Sequence, residues 1–411
     1  MIEFLKKAKE SSRIISQLSG AEKSRVLNLM ADALESHKDI IEIENKKDID
    51  YAKENGLSSA IIDRLFLDKE RIFSMAKSLR EISSLREPVG RVLDGWINYI
   101  GLKIEKVSVP IGVIGVIYES RPNVTSDTAG LCFKSGNVVI LKGGKEAENS
   151  NKIIALVLQT VLEDNNLSKE IISLLPDSSR DGVAKLIKQD KYVDLIIPRG
   201  GEGLIKYINS NSSVPVVKHD KGLCHTYIDK DANFSKAINI AVNAKTQRVG
   251  VCNAMETLLV DYSIADEILP MLKIRFDKVG TELKGCGTTG SILNISQATD
   301  DDFDTEYLAN ILNIKVVSGV FEAINHIERF GSGHSEAIIT ENYTTAEQFL
   351  NEVDASTVYL NASTRFTDGA VFGFGAEVGI STNKLHARGP MGIDDLTTYK
   401  YKVYGDGQIK S

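Results

Sequence analysis

Hydrophobic positions recur every three or four residues through residues 1–85. Leu5, Ala8, Ser12, Ile15 and Leu18 form one stripe, and Val26, Leu27, Met30, Ala33 and Leu34 another. This is the period of amphipathic helices, and Ser58 or Ser59 is placed to cap a further short one. From about residue 97 the period changes. Residues 99–109 alternate, with Ile100, Leu102, Ile104 and Val107 between charged residues, which predicts an exposed hairpin or oligomer-forming strand. Residues 109–118 then read as a β-branched run of the kind buried in a parallel sheet. Helical stretches follow around Ala129, Leu131 and Phe133, over 149–162 and over 180–188. They alternate with strand-like runs at 138–141, 171–175, 193–197 and 214–217. Such alternation predicts a doubly wound α/β sheet, the usual home of a dinucleotide. A second α/β segment runs over 222–361. The glycine- and aromatic-rich tail ends in a strand-like 397–404, expected to pair with 99–109 of the same or another subunit.

Composition narrows the class. A chain of 411 residues with 42% hydrophobic content buries a large core in two or more domains. A net charge of −7 argues against nucleic acid or anionic membrane as the main partner. No apolar run approaches the roughly 20 residues that span a bilayer, and Met1 to Lys7 lack a signal-peptide core. A cytoplasmic protein is expected. Cys132, Cys224, Cys252 and Cys286 lie far apart, and the six histidines are scattered. Neither a disulfide framework nor a metal site is expected.

Cys252 is the leading chemical candidate. It lies among small residues (Gly250, Val251, Asn253, Ala254) between a helical stretch and a strand-like run. A loop there presents a thiol to a substrate, and a thiolate forms thioesters that a hydride reduces. The alternative is a buried structural thiol, as expected for Cys132. Gly200 and Gly201 open a helix after a strand, where free backbone N–H groups suit a pyrophosphate, although such turns are also common without a ligand. Lys142 and Lys145 flank a Gly-Gly at the carboxyl end of a strand and favour an anionic ligand. Asn123 suits an oxyanion donor, a helix cap or both, and Arg121 suits a phosphate or carboxylate. In the tail, Arg388 suits the same anions and His386 a proton transfer.

Together, residues 109–145, 214–229, 247–256 and 372–396 resemble the aldehyde dehydrogenase superfamily and, within it, the γ-glutamyl phosphate reductases of proline biosynthesis. The resemblance implies an aldehyde-dehydrogenase-like α/β fold: a Rossmann-type cofactor domain, an α/β catalytic domain and a small β oligomerisation element. It implies residues 1–221 as N-terminal helices and NADP-binding domain, with 95–109 as the oligomerisation hairpin. Residues 222–361 become the catalytic domain, and 362–411 a return segment with the oligomerisation strand. Cys252 falls at the nucleophile and Asn123 at the oxyanion donor. Lys142 falls at the lysine near the adenosine ribose, and Glu306 at the glutamate holding the nicotinamide ribose, without its usual Phe-Gly-Pro surroundings.

His219 stands where hydrolytic relatives carry the glutamate that activates water, a loss that fits reduction. Lys145 stands where NAD-specific relatives carry a carboxylate, which points to NADPH. The implied activity is NADPH-dependent reduction of L-glutamate 5-phosphate to L-glutamate 5-semialdehyde and phosphate through a Cys252 thioester, with Arg121 and Arg388 on the substrate's anionic groups. Implied partners are further copies of the chain and the glutamate 5-kinase that makes the acyl phosphate. The alternatives are a coenzyme A-acylating aldehyde dehydrogenase and a non-catalytic nucleotide-binding scaffold.

Overall fold

Runs of β-branched residues set the centre of each half of the chain. The structure, a computed structural model, describes residues 1–217 and 221–410, without the side chains of Ala60 and Glu202. It divides into two units, Met1–Lys218 with Gly373–Gly379 and Met391–Ser411, and His219–Phe372 with Ile380–Pro390.

In the first unit the buried run becomes β3 (Val113–Tyr118), in which every residue is buried. It follows β1 (Val92–Ile97) and β2 (Lys103–Pro110). With β4 (Val138–Lys142), β5 (Ile172–Leu174) and β6 (Leu195–Arg199) it forms a sheet of order β5-β4-β3-β6, parallel throughout. The expected strand at 214–217 is reduced to a single bridge, Ile196 to Val216. The N-terminal region is helical: Ile2–Ile15, Gly20–Ser36, Lys38–Glu54, Ser59–Leu65 and Lys69–Ser84. The second opens on a capping box from Ser19 and Glu22, which satisfies two otherwise orphaned N–H groups. Ser58 is the cap of the fourth. The first helix buries Leu5, Ala8, Ser11 and Ile15, so the inward position is Ser11, which bonds Ser168 at 2.8 Å, and not Ser12. The terminal strand Thr397–Tyr404 runs antiparallel to β2 of the same chain, Thr397 facing Pro110 and Tyr404 facing Lys103.

The second unit holds β7 (Cys224–Ile228), β8 (Met255–Asp261), β9 (Glu282–Gly285), β10 (Ser296–Gln297), β11 (Ile311–Val317), β12 (Ser335–Ile339) and β13 (Thr357–Leu360). They form a seven-stranded parallel sheet of order β10-β9-β11-β8-β7-β12-β13. Helices Phe234–Thr246 and Ala265–Lys278 pack Ala237, Ala241, Ile268 and Leu272 onto Met255, Leu258 and Val260. Beside this core, His326 is buried among Phe303, Phe330 and His225, with ring centroids 5.0, 4.7 and 5.5 Å away. Its Nε2 has no hydrogen-bond partner among the described residues.

Burial pushes the His326 imidazole down to about 2, and the nearby His225, Lys315 and Arg329 act in the same direction. A base held neutral in the fold contributes stability that is complete above its unfolded value near 6.5 and is lost as pH falls below it. His326→Phe, which keeps a ring in the cluster, is expected to flatten the fall in urea midpoint between about pH 6.5 and 5.5, over which the wild-type histidine costs about 1 kcal/mol. Parallel pH profiles for the two proteins would show that His326 does not contribute to the acid limb.

Candidate active site

In the second unit, residues 247–254 connect the Phe234–Thr246 helix to β8, and Cys252 sits there half-buried. Its backbone is held by close approach. A Cβ at Gly222 would stand 1.9 Å from the Cys252 carbonyl oxygen, so any larger residue would displace the loop. Cys224, at the start of β7, donates its thiol to that same oxygen at 3.2 Å. Burial, with the charges of Glu336 and Cys252, holds the Cys224 thiol well above its usual range, which keeps it a protonated donor. The next residue is tied on both sides. The Asn253 amide donates to Thr367 O at 2.8 Å and its carbonyl accepts from Thr364 Oγ1 at 2.8 Å.

Between these two threonines lies Arg365, whose Nε donates to Gln247 Oε1 at 3.0 Å. Burial lowers the Arg365 guanidinium from its ordinary value, and the negative charge of a Cys252 thiolate opposes that fall. The interaction is reciprocal, so Arg365 favours the thiolate. In sequence Arg365 lies far from Cys252, and no local pattern connects the two.

A second charged group underlies the loop. Lys245 and Glu256 form a fully buried pair at 2.7 Å. Burial pushes the Glu256 carboxyl up to about 7 and the Lys245 ammonium down. Glu256 Oε1 also accepts from Leu308 N at 3.3 Å, which fastens the segment carrying the half-buried Glu306. Glu306 acts electrostatically on both members of the pair. Also in this unit, Arg388 pairs with Asp354 at 2.7 Å. His386 is exposed with φ +74°, a left-handed conformation that is strained for histidine.

In the first unit, Asn123 is the first residue of the Asn123–Lys134 helix and makes no capping bond. The structure therefore does not support the capping alternative. The exposed Asn123 amide instead donates to Asp127 Oδ2 at 3.0 Å. Arg121, half-buried, precedes it. Cys132, on the same helix, is fully buried, and burial drives its thiol far up.

The carboxyl ends of β4 and β6 carry the expected cofactor groups. Lys142 ends β4 half-buried, and Lys145 is exposed with its ammonium 5.7 Å from the Tyr51 ring centroid. Neither lysine makes an ion pair among the described residues. Glu146 is turned onto Ser120, accepting from its N and Oγ at 2.7 Å each, so that carboxylate is already engaged. Gly201 caps the Glu202–Asn211 helix, and its N–H donates to Glu119 Oε2 at 2.9 Å. Gly200 lies against the same carboxylate, which would come within 2.5 Å of a Cβ there. Two unpaired lysines and a glycine turn fit an anionic dinucleotide, although Glu119 holds the helix N-terminus and must yield to any phosphate placed there. His219 lies outside the described residues.

Comparison with known proteins accords with this arrangement. The model of the aldehyde dehydrogenase family matches residues 1–300. The chain is 69% identical, over the full length of both sequences, to a gamma-glutamyl phosphate reductase of a Nitratiruptor species. It is 68% identical to that of Sulfurimonas denitrificans, again over the whole of each chain. Among solved structures, the gamma-glutamyl phosphate reductase of Thermotoga maritima superposes with a TM-score of 0.98 at 44% identity, over 100% of this chain and 99% of that one. An acetylating aldehyde dehydrogenase from Geobacillus thermoglucosidasius shares the fold, with a TM-score of 0.70 at 19% identity over 100% and 97% of the two chains.

Proposed function

Because the chain belongs to the aldehyde dehydrogenase family and, within it, to the γ-glutamyl phosphate reductases, we propose that it reduces L-glutamate 5-phosphate to L-glutamate 5-semialdehyde and inorganic phosphate with NADPH, the second step of proline biosynthesis from glutamate. The observation that carries the reading is the half-buried Cys252 thiol, on a backbone fixed by Gly222 and Cys224 and within the field of Arg365.

The Cys252 thiolate attacks the acyl carbon. A C–S bond forms, the bond to the phosphate oxygen breaks, and phosphate leaves. The tetrahedral oxyanion accepts from the Cys252 backbone N–H and the Asn123 amide, each such donor worth about 3 kcal/mol. NADPH, when bound, supplies the hydride that reduces the thioester. Collapse of the thiohemiacetal then breaks the C–S bond, restores the thiolate and releases the aldehyde. Arg121 and Arg388 are assigned to the substrate's phosphate and α-carboxylate, and His386 to the same site. Arg388 would share its guanidinium with Asp354. Lys142, Lys145, Gly200, Gly201 and Glu306 are assigned to the cofactor, with Lys145 reading the 2′-phosphate.

The second product cyclises without help, because amine and aldehyde close a five-membered ring. A homo-oligomer in the cytoplasm completes the reading. The oligomer is supported by the apolar side chains that β1 and the terminal strand leave exposed, among them Trp96, Ile97, Tyr401 and Val403. Glutamate 5-kinase, the source of a short-lived acyl phosphate, is the proposed partner.

The direct test is NADPH oxidation with glutamate 5-phosphate generated in situ, the semialdehyde being trapped as its cyclic imine. Cys252→Ala is expected to abolish this turnover while keeping NADPH binding, and near-normal rates in that variant would overturn the mechanism. A coenzyme A-acylating enzyme would accept coenzyme A in place of phosphate in the reverse direction. Lys145→Glu is expected to lower the preference for NADPH over NADH by on the order of tenfold or more, the weight of one charge-assisted hydrogen bond. An unchanged cofactor ratio would place recognition of the 2′-phosphate elsewhere.

A further inference from the structure

The loop that carries Cys252 gathers two guanidinium groups. Arg365 is held against it from three sides. Its Nε donates to Gln247 Oε1 at 3.0 Å, and its neighbours Thr364 and Thr367 bond the Asn253 carbonyl and amide at 2.8 Å each. Its terminal nitrogens, Nη1 and Nη2, make no hydrogen bond or ion pair among the described residues. The side chain is half-buried, and these nitrogens are not sealed from solvent. Arg248, exposed on the same loop, likewise makes no ion pair among the described residues. Burial lowers the Arg365 guanidinium. The charges of Cys252, Asp368 and Cys224 oppose that fall, and Arg248 adds to it. Asp368 is already engaged, its Oδ1 accepting from the N–H groups of Ala370 and Val371 at 2.9 and 3.2 Å. Two like charges drawn together cost free energy that a bound anion recovers.

We propose that Arg365, with Arg248 beside it, forms the phosphate subsite of the Cys252 loop, holding the substrate's phosphate as it leaves and the inorganic phosphate that attacks the thioester in reverse. This rests on the reading of the chain as the reductase of an acyl phosphate through a Cys252 thioester. The phosphate is joined through one oxygen to the carbon that Cys252 attacks. An attacking sulfur stands about 3–3.5 Å from that carbon, so the phosphate oxygens lie within roughly 6 Å of the thiolate. A thiolate and a phosphate dianion that close repel each other in a half-buried site. The cation that balances them must therefore be within reach of both. Arg365 meets that condition within the unit that carries Cys252, and its planar fork suits two phosphate oxygens. Arg388, assigned above to the substrate's anions, is already paired with Asp354 at 2.7 Å.

The test uses the full-length enzyme in the oxidative direction. Glutamate 5-semialdehyde and NADP⁺ load Cys252 with a glutamyl group, and two acceptors then release it. Phosphate attacks through an oxygen, so that a C–O bond forms as the C–S bond breaks and the acyl phosphate leaves. Hydroxylamine, uncharged near neutral pH, attacks through nitrogen, loses a proton to water and leaves as the hydroxamate. Failure of the wild type to load Cys252 would sink the underlying reading, and this proposal with it. In a wild type that loads, the ratio of the two release rates, phosphate over hydroxylamine, checks Arg365 alone. In Arg365→Gln the ratio should fall by on the order of tenfold or more, the weight of one charge-assisted hydrogen bond. Arg365→Lys, which keeps the charge and loses the fork, should recover part of it. Arg248→Gln should lower it by on the order of threefold, as fits an exposed charge. A shifted loop or an altered thiol acidity slows both acceptors alike and leaves the ratio in place. An undiminished ratio in Arg365→Gln would overturn the assignment. If that variant fails to fold, an undiminished ratio in Arg248→Gln overturns it instead.

Discussion

The chemistry of this chain depends on the absence of a side chain at Gly222. The Cys252 carbonyl occupies the space a Cβ would need, and the protonated Cys224 thiol holds it from the start of the neighbouring strand. A backbone fixed in this way presents the Cys252 N–H in one direction. An oxyanion hole requires that, because its donors must already point at developing charge before the charge appears. The ties from Asn253 to the segment 364–367 extend the same constraint and bring Arg365 into the field of the thiol. The Lys245–Glu256 pair closes the loop from the core side. It is costly to bury, and breaking it would leave one charge stranded, so the loop and the Glu306 segment are held by the same group.

The cofactor side follows a different logic. Lys142 and Lys145 project from the end of β4 without ion-pair partners among the described residues, while two carboxylates of the same region are occupied. Glu146 is bound to Ser120 and Glu119 to the Gly201 N–H. Positive charge is thereby left for a ligand. The helix N-terminus at Gly201 carries a carboxylate where a phosphate would be equally well satisfied.

Much of this was legible in the sequence, and the boundary is instructive. The β-branched run that became β3 and the alternation of strands and helices were readable because burial on both faces of a parallel sheet imposes a local pattern. The pairing of the terminal strand with β2 was readable from two exposed alternating segments. At 214–217 the pattern misled, since an apolar run that makes one bridge has the same composition as a strand that makes five. Among chemical groups, Cys252, Asn123, Lys142 and Lys145 were singled out by residue type and by adjacency to strand ends, and their roles stand as proposals. Gly222 as a backbone contact, Cys224 as a donor, Arg365 as the thiol's cation and Asp127 as the anchor of Asn123 did not. Three of the four act across separations of 28 residues or more, which no local period encodes. Asp127, four residues from Asn123, carried a helical-spacing signal, but a lone acid on a helix is ordinarily a solvated one.

The central claim is that Cys252 carries the acyl group, and the acyl enzyme itself is its most direct measure. Glutamate 5-semialdehyde and NADP⁺ without phosphate should stall the enzyme after one hydride transfer. Acid quench and peptide mass spectrometry should then find one glutamyl group per chain on the peptide containing Cys252, released when phosphate is added. Full turnover with that peptide unmodified, or the acyl group on any other residue, would contradict the account.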